Sequence, residues 1–575
     1  MPPRYRISEG LLAAAAFLAL ALVATYPLAL SWRTALPAGA GDLWQNYWNF
    51  WWWKQCLLQG TQPLHSPLLF HPTGTDLIFH THSPLNQALA MPVNLLFGQA
   101  AAYNFCLIFA LTLTGLGTYL LAREITGDRP SALIAGLVFA TFPNLVEQTL
   151  EHLNLFSVQF IPFALLYLVR WASSHQRSDA LRLGTCFGLT ALCGWHLGLK
   201  LALVCAPALA WICWRQRPAV GSLVRQGGWA AGLALLIVLP FLLPLVGAIV
   251  GGAEYQVKPP VHRGIDASFL LTPPYGNPLF AGAVADRYLD RAYHAAGFVC
   301  YLGFLPLGLA ALGTWRRWRQ AWPWLVLFAS GLVLALGTDP YWDGARLEVG
   351  FLPFALLREI PLLESLRVAN RFMLVAGLGL AVLAGLGWSS LRGVPWWTTA
   401  LAAVLIFAEY SWLPFPVRTV NQSPLLANLS GGSGAVLDIP FHQRSRTVHN
   451  MAAQTVHGRP IGGGYLATYP PAVERRIAEE PALATLAGVP PPDAKVDVAR
   501  LRELGFRAVV IHKYRADSFG QTSQREADPS DILEWKRVRI LGGIPDATIA
   551  AIRKQLDAAL GGAASEDRLI AVYLL

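Results

Sequence analysis

An aspartate and a dense aromatic run, GDLWQNYWNFWWW at 41–53, follow the first long apolar segment of the chain. A carboxylate at the edge of an apolar segment, as Asp42 is, can act as a general base, bind a divalent cation or orient a substrate hydroxyl. The alternative is that Asp42 caps a helix that begins at Leu43. The aromatic rings suit the headgroup boundary of a membrane, and they can also stack on a sugar ring or an apolar chain. The residues of this stretch that we expect to contact a substrate are Trp44, Asn46 and Trp48.

Two histidines follow in the same hydrophilic segment. His80 and His82 are separated by one residue in a stretch without a helical pattern, so their side chains can point the same way, as metal ligands do. Because no third ligand is near them in the sequence, a structural or hydrogen-bonding role is favoured over a metal site. We keep both histidines as candidates for substrate binding.

A second acidic position lies in a short turn between two apolar segments. Glu151 and His152 form this ionisable pair, which is held close to the hydrocarbon by the shortness of the turn. Ionisable groups so placed are costly and usually functional. The pair is therefore a candidate for acid/base catalysis, and Glu151, like Asp42, is a candidate ligand for Mg²⁺ or Mn²⁺. The alternative is a solvated turn.

Two arginines lie at the mouth of the tenth apolar segment, on the side that the charge pattern predicts to be external. Arg367 and Arg371 are four residues apart, so on a helix they would share one face. Guanidinium groups bind phosphate through two parallel hydrogen bonds and keep their charge. This predicts a phosphate clamp, with snorkelling to the membrane interface as the alternative. Weaker candidates of the same kind are Lys258, Arg263, Arg287 and Arg291.

The composition indicates that the chain is a membrane protein, so membrane helices must position these residues. Of 575 residues, 54% are hydrophobic and 14% charged, whereas globular proteins carry about 25% charged residues. The net charge of +10 fits basic cytoplasmic loops beside anionic headgroups. Nucleic-acid binding is excluded because the chain has no basic groove pattern or recognition motif. Motifs of the P-loop, GxSxG, HExxH and GxGxxG types are also absent from the sequence.

About eleven apolar segments are long enough to span a bilayer, and the arginines predict their orientation. The segments are 11–31, 101–122, 131–147, 154–170, 181–197, 199–214, 229–250, 297–314, 322–337, 371–391 and 396–413. Alternation from a cytoplasmic N-terminus with Arg4 and Arg6 puts the later arginine clusters on the cytoplasmic side too. Those clusters are Arg123/Arg129, Arg170/Arg177/Arg182, Arg215/Arg217/Arg225, Arg316/Arg317/Arg319 and Arg392. The other side receives the loops 32–100, 251–296 and 338–370, with helices at 83–98 lying in the interface.

The last part of the chain has a different character. Residues 1–413 are predicted to form the membrane domain, and 414–575 a small water-soluble α/β domain on the extracytoplasmic side. Within the latter, 435–440 (AVLDIP) and 508–512 (AVVIH) are predicted strands. Helices are predicted at 498–504, capped by Asp497, and at 546–560. All seven cysteines precede this domain, so it needs no disulfide.

These features together resemble the GT-C superfamily of polytopic membrane glycosyltransferases, which includes protein mannosyltransferase-like and aminoarabinose-transferase-like enzymes. The resemblance covers about residues 1–413 and rests on topology plus short motifs. The motifs are Gly41-Asp42, FHPTG at 70–74, the interfacial segment 83–98, LLAREITG at 120–127, SALIAG at 131–136, Glu151-His152 and LRVANRF at 366–372.

The resemblance implies a fold, a reaction and roles for some residues. It implies a sugar donor linked to polyprenyl phosphate and an acceptor hydroxyl on a protein, a lipid or a glycan, with Asp42 as base or metal anchor and Glu151 as a second acidic site. Because Leu43 stands where a second acid could follow Asp42, the need for a divalent cation is left open. The rival interpretation is a transporter or a lipid- or glycan-handling protein without chemistry, which the gathering of polar residues at one membrane face disfavours.

Overall fold

The computed structural model describes residues 7–39, 41–215, 220–252, 264–291, 299–360, 363–391, 393–420, 422–441, 448–466, 471–487, 495–513 and 546–575, and the chain is mainly helical. The helices up to residue 410 are α1 Ile7–Ala24, α2 Gly41–Gln59, α3 Pro84–Phe97, α4 Gln99–Thr126, α5 Arg129–Ala140, α6 Pro143–Thr149, α7 Leu153–Phe156, α8 Ile161–Ser174, α9 Arg177–Cys193, α10 Trp195–Arg215, α11 Val220–Val250, α12 Ala281–Arg291, α13 Phe304–Arg316, α14 Trp318–Ala335, α15 Phe354–Arg358, α16 Met373–Ser389 and α17 Trp396–Tyr410. The later helices are α18 Val448–His457, α19 Pro471–Glu479, α20 Pro481–Ala487, α21 Val498–Glu503 and α22 Asp546–Leu560. The strands are β1 Ala35–Pro37, β2 His65–Ser66, β3 Thr75–Asp76, β4 Tyr341–Trp342, β5 Ala345–Arg346, β6 Val417–Thr419, β7 Ala435–Ile439, β8 Phe506–His512, β9 Ser565–Glu566 and β10 Ile570–Leu574. Short 3-10 helices are Leu28–Ser31, Ala267–Leu271, Leu363–Leu366, Ala369–Phe372 and Pro424–Leu429.

The chain is an integral membrane protein. Among the described residues, five helices are long and apolar enough to cross a bilayer, or six if α5 and α6, which bend by 46° at their junction, form one span. The five are Ile7–Ala24, Gln99–Thr126, Leu153–Ser174, Gly221–Val250 and Ala369–Ser389. α11 exposes Leu235, Leu236 and Leu243, which a bilayer would cover. The total of about eleven spans and the boundary at 413/414 stay predictions.

Some predicted span boundaries are wrong. The first residues of 297–314 are not helical where they are described, since α13 begins only at Phe304. The extended backbone before α13 is bound to α6: the Val299 N–H donates to Glu147 Oε2 at 2.7 Å, and the Val299 carbonyl accepts from Asn144 Nδ2 at 2.9 Å. These side-chain bonds satisfy buried backbone groups that a helix would otherwise satisfy. Several candidates of the sequence lie outside the described residues, namely Arg4, Arg6, Arg217, Lys258, Arg263, Arg392 and the side chains of Arg215 and Arg291.

The helical core is built on close approach of backbones. α16 is buried along its length and packs against α5, α13 and α14. A Cβ on Gly387 of α16 would lie 1.9 Å from the Leu309 carbonyl oxygen of α13, so only glycine permits this approach, as at other membrane helix interfaces. At one end of the bundle, Glu9 of α1 accepts from Tyr119 and Arg123 of α4 and from Arg129 of α5. The Arg123/Arg129 cluster is therefore at the same end as the start of α1.

The hydrophilic segments are structured. The predicted interfacial segment 83–98 contains the single helix α3 in the described chain, and the 32–100 segment also contains α2 and two short strands that pair with each other, β2 and β3. Asp266 joins the two other hydrophilic segments, because its carboxylate accepts from the backbone N–H groups of Asp343 at 3.0 Å and Gly344 at 2.7 Å. Arg287, a weaker phosphate candidate, forms an ion pair with Asp343 at 3.1 Å.

The C-terminal part forms a mixed four-stranded sheet with the strand order β7-β8-β10-β9. β7 and β8 are parallel, and β10 pairs antiparallel with both β8 and β9. The predicted strands at 435–440 and 508–512 and the predicted helix at 546–560 are confirmed, as is the capping of α21 by Asp497, whose side chain accepts from the Arg500 N–H at 2.9 Å. One apolar cluster contains residues of this sheet together with Trp48, Trp51 and Trp52 of α2.

Burial of His457, at the end of α18, predicts that the protein loses stability in acid. Burial lowers the pKa of His457 to about 4, although the charge of Asp438 acts in the opposite direction. An unfolded histidine titrates near 6.5, so the folded chain is favoured fully above about pH 6.5 and progressively less as the pH falls towards 4. The expected loss is at most about 3 kcal/mol for this group.

The measurement is the midpoint of thermal unfolding in detergent between pH 7.5 and 4.5. His457→Gln removes the titrating group, so its midpoint is expected to fall less steeply with acidification than that of the wild-type protein. Some slope will remain, because burial also lowers the pKa of His82 to about 4. Parallel curves for the two proteins would show that His457 does not contribute.

Candidate active site

Asp42 lies in the first turn of α2, at one end of the membrane helices. The helix begins at Gly41, so the alternative in which Asp42 caps a helix starting at Leu43 is wrong. The Asp42 carboxylate instead accepts a hydrogen bond from the Tyr465 hydroxyl at 2.8 Å, and the Asn46 amide donates to the Asp42 backbone carbonyl at 2.8 Å. The Asp42 side chain is 31% exposed, so it remains open to a substrate.

The turn that contains Glu151 and His152 packs against this acid. His152 Nε2 lies 3.7 Å from Asp42 Oδ2. Gly39, three residues before Asp42, touches the turn so closely that a Cβ there would lie 1.9 Å from the Leu150 carbonyl oxygen and 2.6 Å from Glu151 Cγ. The structure thus brings together two elements that are about 110 residues apart in the sequence, and both carry predicted site residues.

The described residues contain no group of three or more His, Cys, Asp or Glu side chains arranged to hold a metal ion. Asp42 and Glu151 lie on the two elements that meet here, and their role as ligands for Mg²⁺ or Mn²⁺ stays a prediction. The chemistry of the site is derived below from its own side chains.

Arg367 and Arg371 do not share one helix face, and this prediction is wrong. The chain forms two separate 3-10 helices, Leu363–Leu366 and Ala369–Phe372, with Arg367 between them and Val368 extended (φ −107°, ψ 96°). Arg371 nevertheless lies near the site, because the ring of the next residue, Phe372, is 5.8 Å from Lys200 Nζ of α10, and α10 begins beside Asn154, two residues after His152.

Three residues that were not predicted from the sequence join Arg371. His196 and Lys200 are one turn apart on α10, and Asn370 precedes Arg371. Lys200 is 3% exposed and its Nζ lies 5.8 Å from the centroid of the Phe372 ring. The sequence does contain a signal for Lys200, since a charged residue inside an apolar segment, here 199–214, is a functional candidate by itself.

The remaining predicted residues are packed along α2. Trp44 and Trp48 are fully buried, and Trp48 Nε1 donates to Gln454 Oε1 at 2.7 Å. His80 Nε2 lies 3.0 Å from Asn49 Oδ1, while Trp53 Nε1 lies 3.4 Å from His82 Nδ1. These contacts give the four side chains packing and hydrogen-bonding roles, and a role in substrate binding stays a prediction for them.

Comparison with solved structures shows which fold this is. The arabinofuranosyltransferase AftD from Mycobacteria superposes with a TM-score of 0.53 at 17% identity, over 93% of this chain and 38% of that chain. The Archaeoglobus fulgidus oligosaccharyltransferase in complex with Zn and sulfate has a TM-score of 0.49 at 14% identity, over 89% and 69% of the two chains. ArnT from Cupriavidus metallidurans bound to undecaprenyl phosphate has a TM-score of 0.42 at 11% identity, over 99% and 98%. The resemblance to the GT-C superfamily is confirmed at the level of the fold.

Comparison of the sequence with known families identifies the family of the chain but not an activity. No curated protein matches the chain. A family model described as a domain of unknown function, DUF6311, matches residues 11–408, which is most of the chain and includes every candidate site residue except Tyr465. The chain belongs to the DUF6311 family.

Proposed function

We propose that the protein is a glycosyltransferase that moves a sugar from a polyprenyl-phosphate-linked donor to an acceptor hydroxyl on the extracytoplasmic face. The observation that carries this proposal is the partly exposed Asp42 carboxylate 3.7 Å from His152, on a turn that packs against the start of α10, the helix that contains the basic residues His196 and Lys200. A proton acceptor beside basic groups is what displacement of a phosphate by a hydroxyl needs. The GT-C fold supports the proposal by analogy.

In the proposed reaction, the acceptor oxygen attacks the anomeric carbon of the donor sugar. A carbon–oxygen bond forms to the acceptor, the bond from the anomeric carbon to the phosphate oxygen breaks, and the lipid phosphate leaves with the bonding electron pair. Asp42 takes the proton of the acceptor hydroxyl, with His152 and Glu151 beside it to orient or relay that proton. Arg371 and Arg367 hold the leaving phosphate, whose charge increases in the transition state.

The direct test uses purified protein in nanodiscs with two donor panels. One panel contains polyprenyl-phosphate sugars and the other the corresponding nucleotide sugars, each supplied with lipid, glycan and protein acceptor fractions. We expect loss of sugar from a polyprenyl-phosphate donor and its covalent appearance on one acceptor fraction, detected by mass spectrometry. Transfer from nucleotide sugars alone would overturn the proposed donor class, and movement of an intact lipid-linked sugar between leaflets without transfer would favour a transporter.

Replacement of Tyr465 by phenylalanine tests whether the C-terminal part positions Asp42. The variant removes the hydroxyl that donates to Asp42 Oδ1 at 2.8 Å and leaves the ring in place. A hydrogen bond to a charged group contributes about 1.5–3 kcal/mol, so we expect transfer to slow by about tenfold, the change of rate for about 1.4 kcal/mol. The readout is the split between kcat and KM, which should show the loss mainly in kcat. Tyr573→Phe, in which the hydroxyl bound to Asp557 is removed, is the matched control and should retain transfer.

A further inference from the structure

Lys200 is a buried cation inside the membrane domain. It lies on α10, five residues after the helix begins, and is 3% exposed. Its ammonium group has no hydrogen-bond partner, and no ion pair joins it to a carboxylate, within the part of the chain that the structure describes. Burial of an ammonium group without compensation costs several kcal/mol. The site is therefore incomplete as a purely protein structure.

Other polar groups on α10 and on the 3-10 helix Ala369–Phe372, whose Phe372 contacts Lys200, have the same property. Asn370 is 2% exposed, and neither its amide nitrogen nor its amide oxygen has a hydrogen-bond partner among the described residues. His196 Nε2 is also buried without such a partner. Arg371 lies in the same 3-10 helix as Asn370, and the ring of the next residue, Phe372, is 5.8 Å from Lys200 Nζ. Two elements that carry donors and positive charge, α10 and the 3-10 helix Ala369–Phe372, thus meet at Lys200.

The chemistry of this cluster specifies its ligand. Lys200 offers up to three N–H donors, and the Asn370 amide offers two more. Arg371 adds charge of the same sign and His196 adds a ring nitrogen, so the compensating partner must be an anion with several acceptor oxygens. A phosphate has these properties. A phosphate carried on a lipid is the source that fits the location, because α10 is an apolar helix whose Trp195 is 38% exposed and which a lipid can approach from the bilayer.

We infer that Lys200, His196 and Asn370, together with Arg371, form a buried binding site for the phosphate group of a polyprenyl phosphate. The inference deepens the proposed function, on which it rests, by giving the leaving phosphate a place inside the protein instead of at the surface. It also assigns Lys200 as the counter-charge that the phosphate meets when the lipid is bound.

The experiment measures binding with defined probes. Purified protein in detergent is titrated with decaprenyl phosphate, with decaprenol, which lacks the phosphate, and with inorganic phosphate, and binding is followed by thermal shift and native mass spectrometry. The wild-type protein is expected to bind decaprenyl phosphate more tightly than decaprenol. Lys200→Met is expected to weaken decaprenyl phosphate binding by about tenfold to a hundredfold, the effect of losing a charged hydrogen-bond partner, and to leave decaprenol binding unchanged.

Two controls show that a loss of decaprenyl phosphate binding by Lys200→Met is not caused by unfolding. Lys54→Met removes a partly buried lysine of α2, an element separate from both elements of this cluster, and it should bind all probes as the wild-type protein does. Without ligand, Lys200→Met is expected to unfold at an equal or higher temperature than the wild-type protein, because it removes an uncompensated buried charge. A lysine with a merely structural role would give the opposite result.

The outcomes separate the inference from the proposed function. Unchanged affinity of Lys200→Met for decaprenyl phosphate, or equal affinity of the wild-type protein for decaprenyl phosphate and decaprenol, would overturn the inference. Binding of inorganic phosphate that depends on Lys200 and matches that of the lipid would support the anion site and overturn its assignment to a lipid. If no donor supports transfer while Lys200-dependent lipid binding persists, the proposed function fails and the site remains.

Discussion

Replacement of Asp42 by asparagine is expected to lower the rate of sugar transfer by about 10²–10⁴-fold, the contribution of a positioned general base. The amide has the size of the carboxylate, and its oxygen can still accept the hydrogen bond from Tyr465. Asparagine cannot take the proton of the acceptor hydroxyl at neutral pH. The protein should therefore remain folded, bind the lipid donor and fail at the chemical step.

The measurement compares single-turnover transfer with donor binding in the same preparation. Asp76→Asn is a suitable control, since Asp76 is 79% exposed and pairs with His65 in the β2–β3 hairpin. The control should transfer at the wild-type rate. Transfer by Asp42→Asn within a factor of about two of the wild-type rate would remove Asp42 from the proposed mechanism.

The proximity of Asp42 and His152 was predictable, because ionisable residues at the ends of apolar segments indicate which side of the membrane each end lies on. Asp42 and His152 both follow such segments, and the alternation of the arginine clusters predicts that both residues lie on the same side of the membrane. Tyr465 was not predictable in this way. It is 423 residues from Asp42 in the chain, and its contact depends on how the C-terminal part packs against α2, which no local pattern encodes.

The errors have local physical causes. Arg367 and Arg371 have helical spacing, but Val368 between them is extended, so the two residues do not belong to one helix. The tryptophans of α2 fit a membrane interface and a protein core equally well by composition. In the structure Trp48 donates to Gln454 and stacks on Trp52, so tertiary packing decides between the two environments. By contrast, β7 and β8 were predictable from short apolar runs, and α21 was predictable from its cap, Asp497, which acts within a few residues.

Replacement of Gly39 by alanine is expected to be strongly destabilising and to disrupt the site. The added Cβ would lie 1.9 Å from the Leu150 carbonyl oxygen and 2.6 Å from both the Leu150 carbonyl carbon and Glu151 Cγ. Because the nearest atom belongs to the backbone, rotation of a side chain cannot relieve the overlap. Overpacking of this kind costs about 1–3 kcal/mol, occasionally more, and we expect the upper end of that range or beyond.

The effect on activity should exceed the effect on stability. Separation of Gly39 from the Leu150–Glu151 turn would also increase the distance between Asp42 and His152, now 3.7 Å. We therefore expect Gly39→Ala to lower the midpoint of thermal unfolding and, in the fraction that remains folded, to lower transfer by about a hundredfold, as misplacement of a catalytic group by about 1 Å does. Gly232→Ala is the matched control, since a Cβ at that position of α11 meets no atom within 4 Å.

Removal of the Glu151 side chain tests whether the added Cβ of Gly39→Ala is excluded by the Leu150 backbone or by the Glu151 side chain. In the double variant Gly39→Ala/Glu151→Ala the 2.6 Å contact with Cγ is gone, but the 1.9 Å contact with the Leu150 carbonyl oxygen remains. The double variant should therefore be no more stable than Gly39→Ala. A Gly39→Ala protein as stable and as active as Gly232→Ala would mean that the two elements do not approach as closely as described, and the Asp42–His152 site would lose its structural basis.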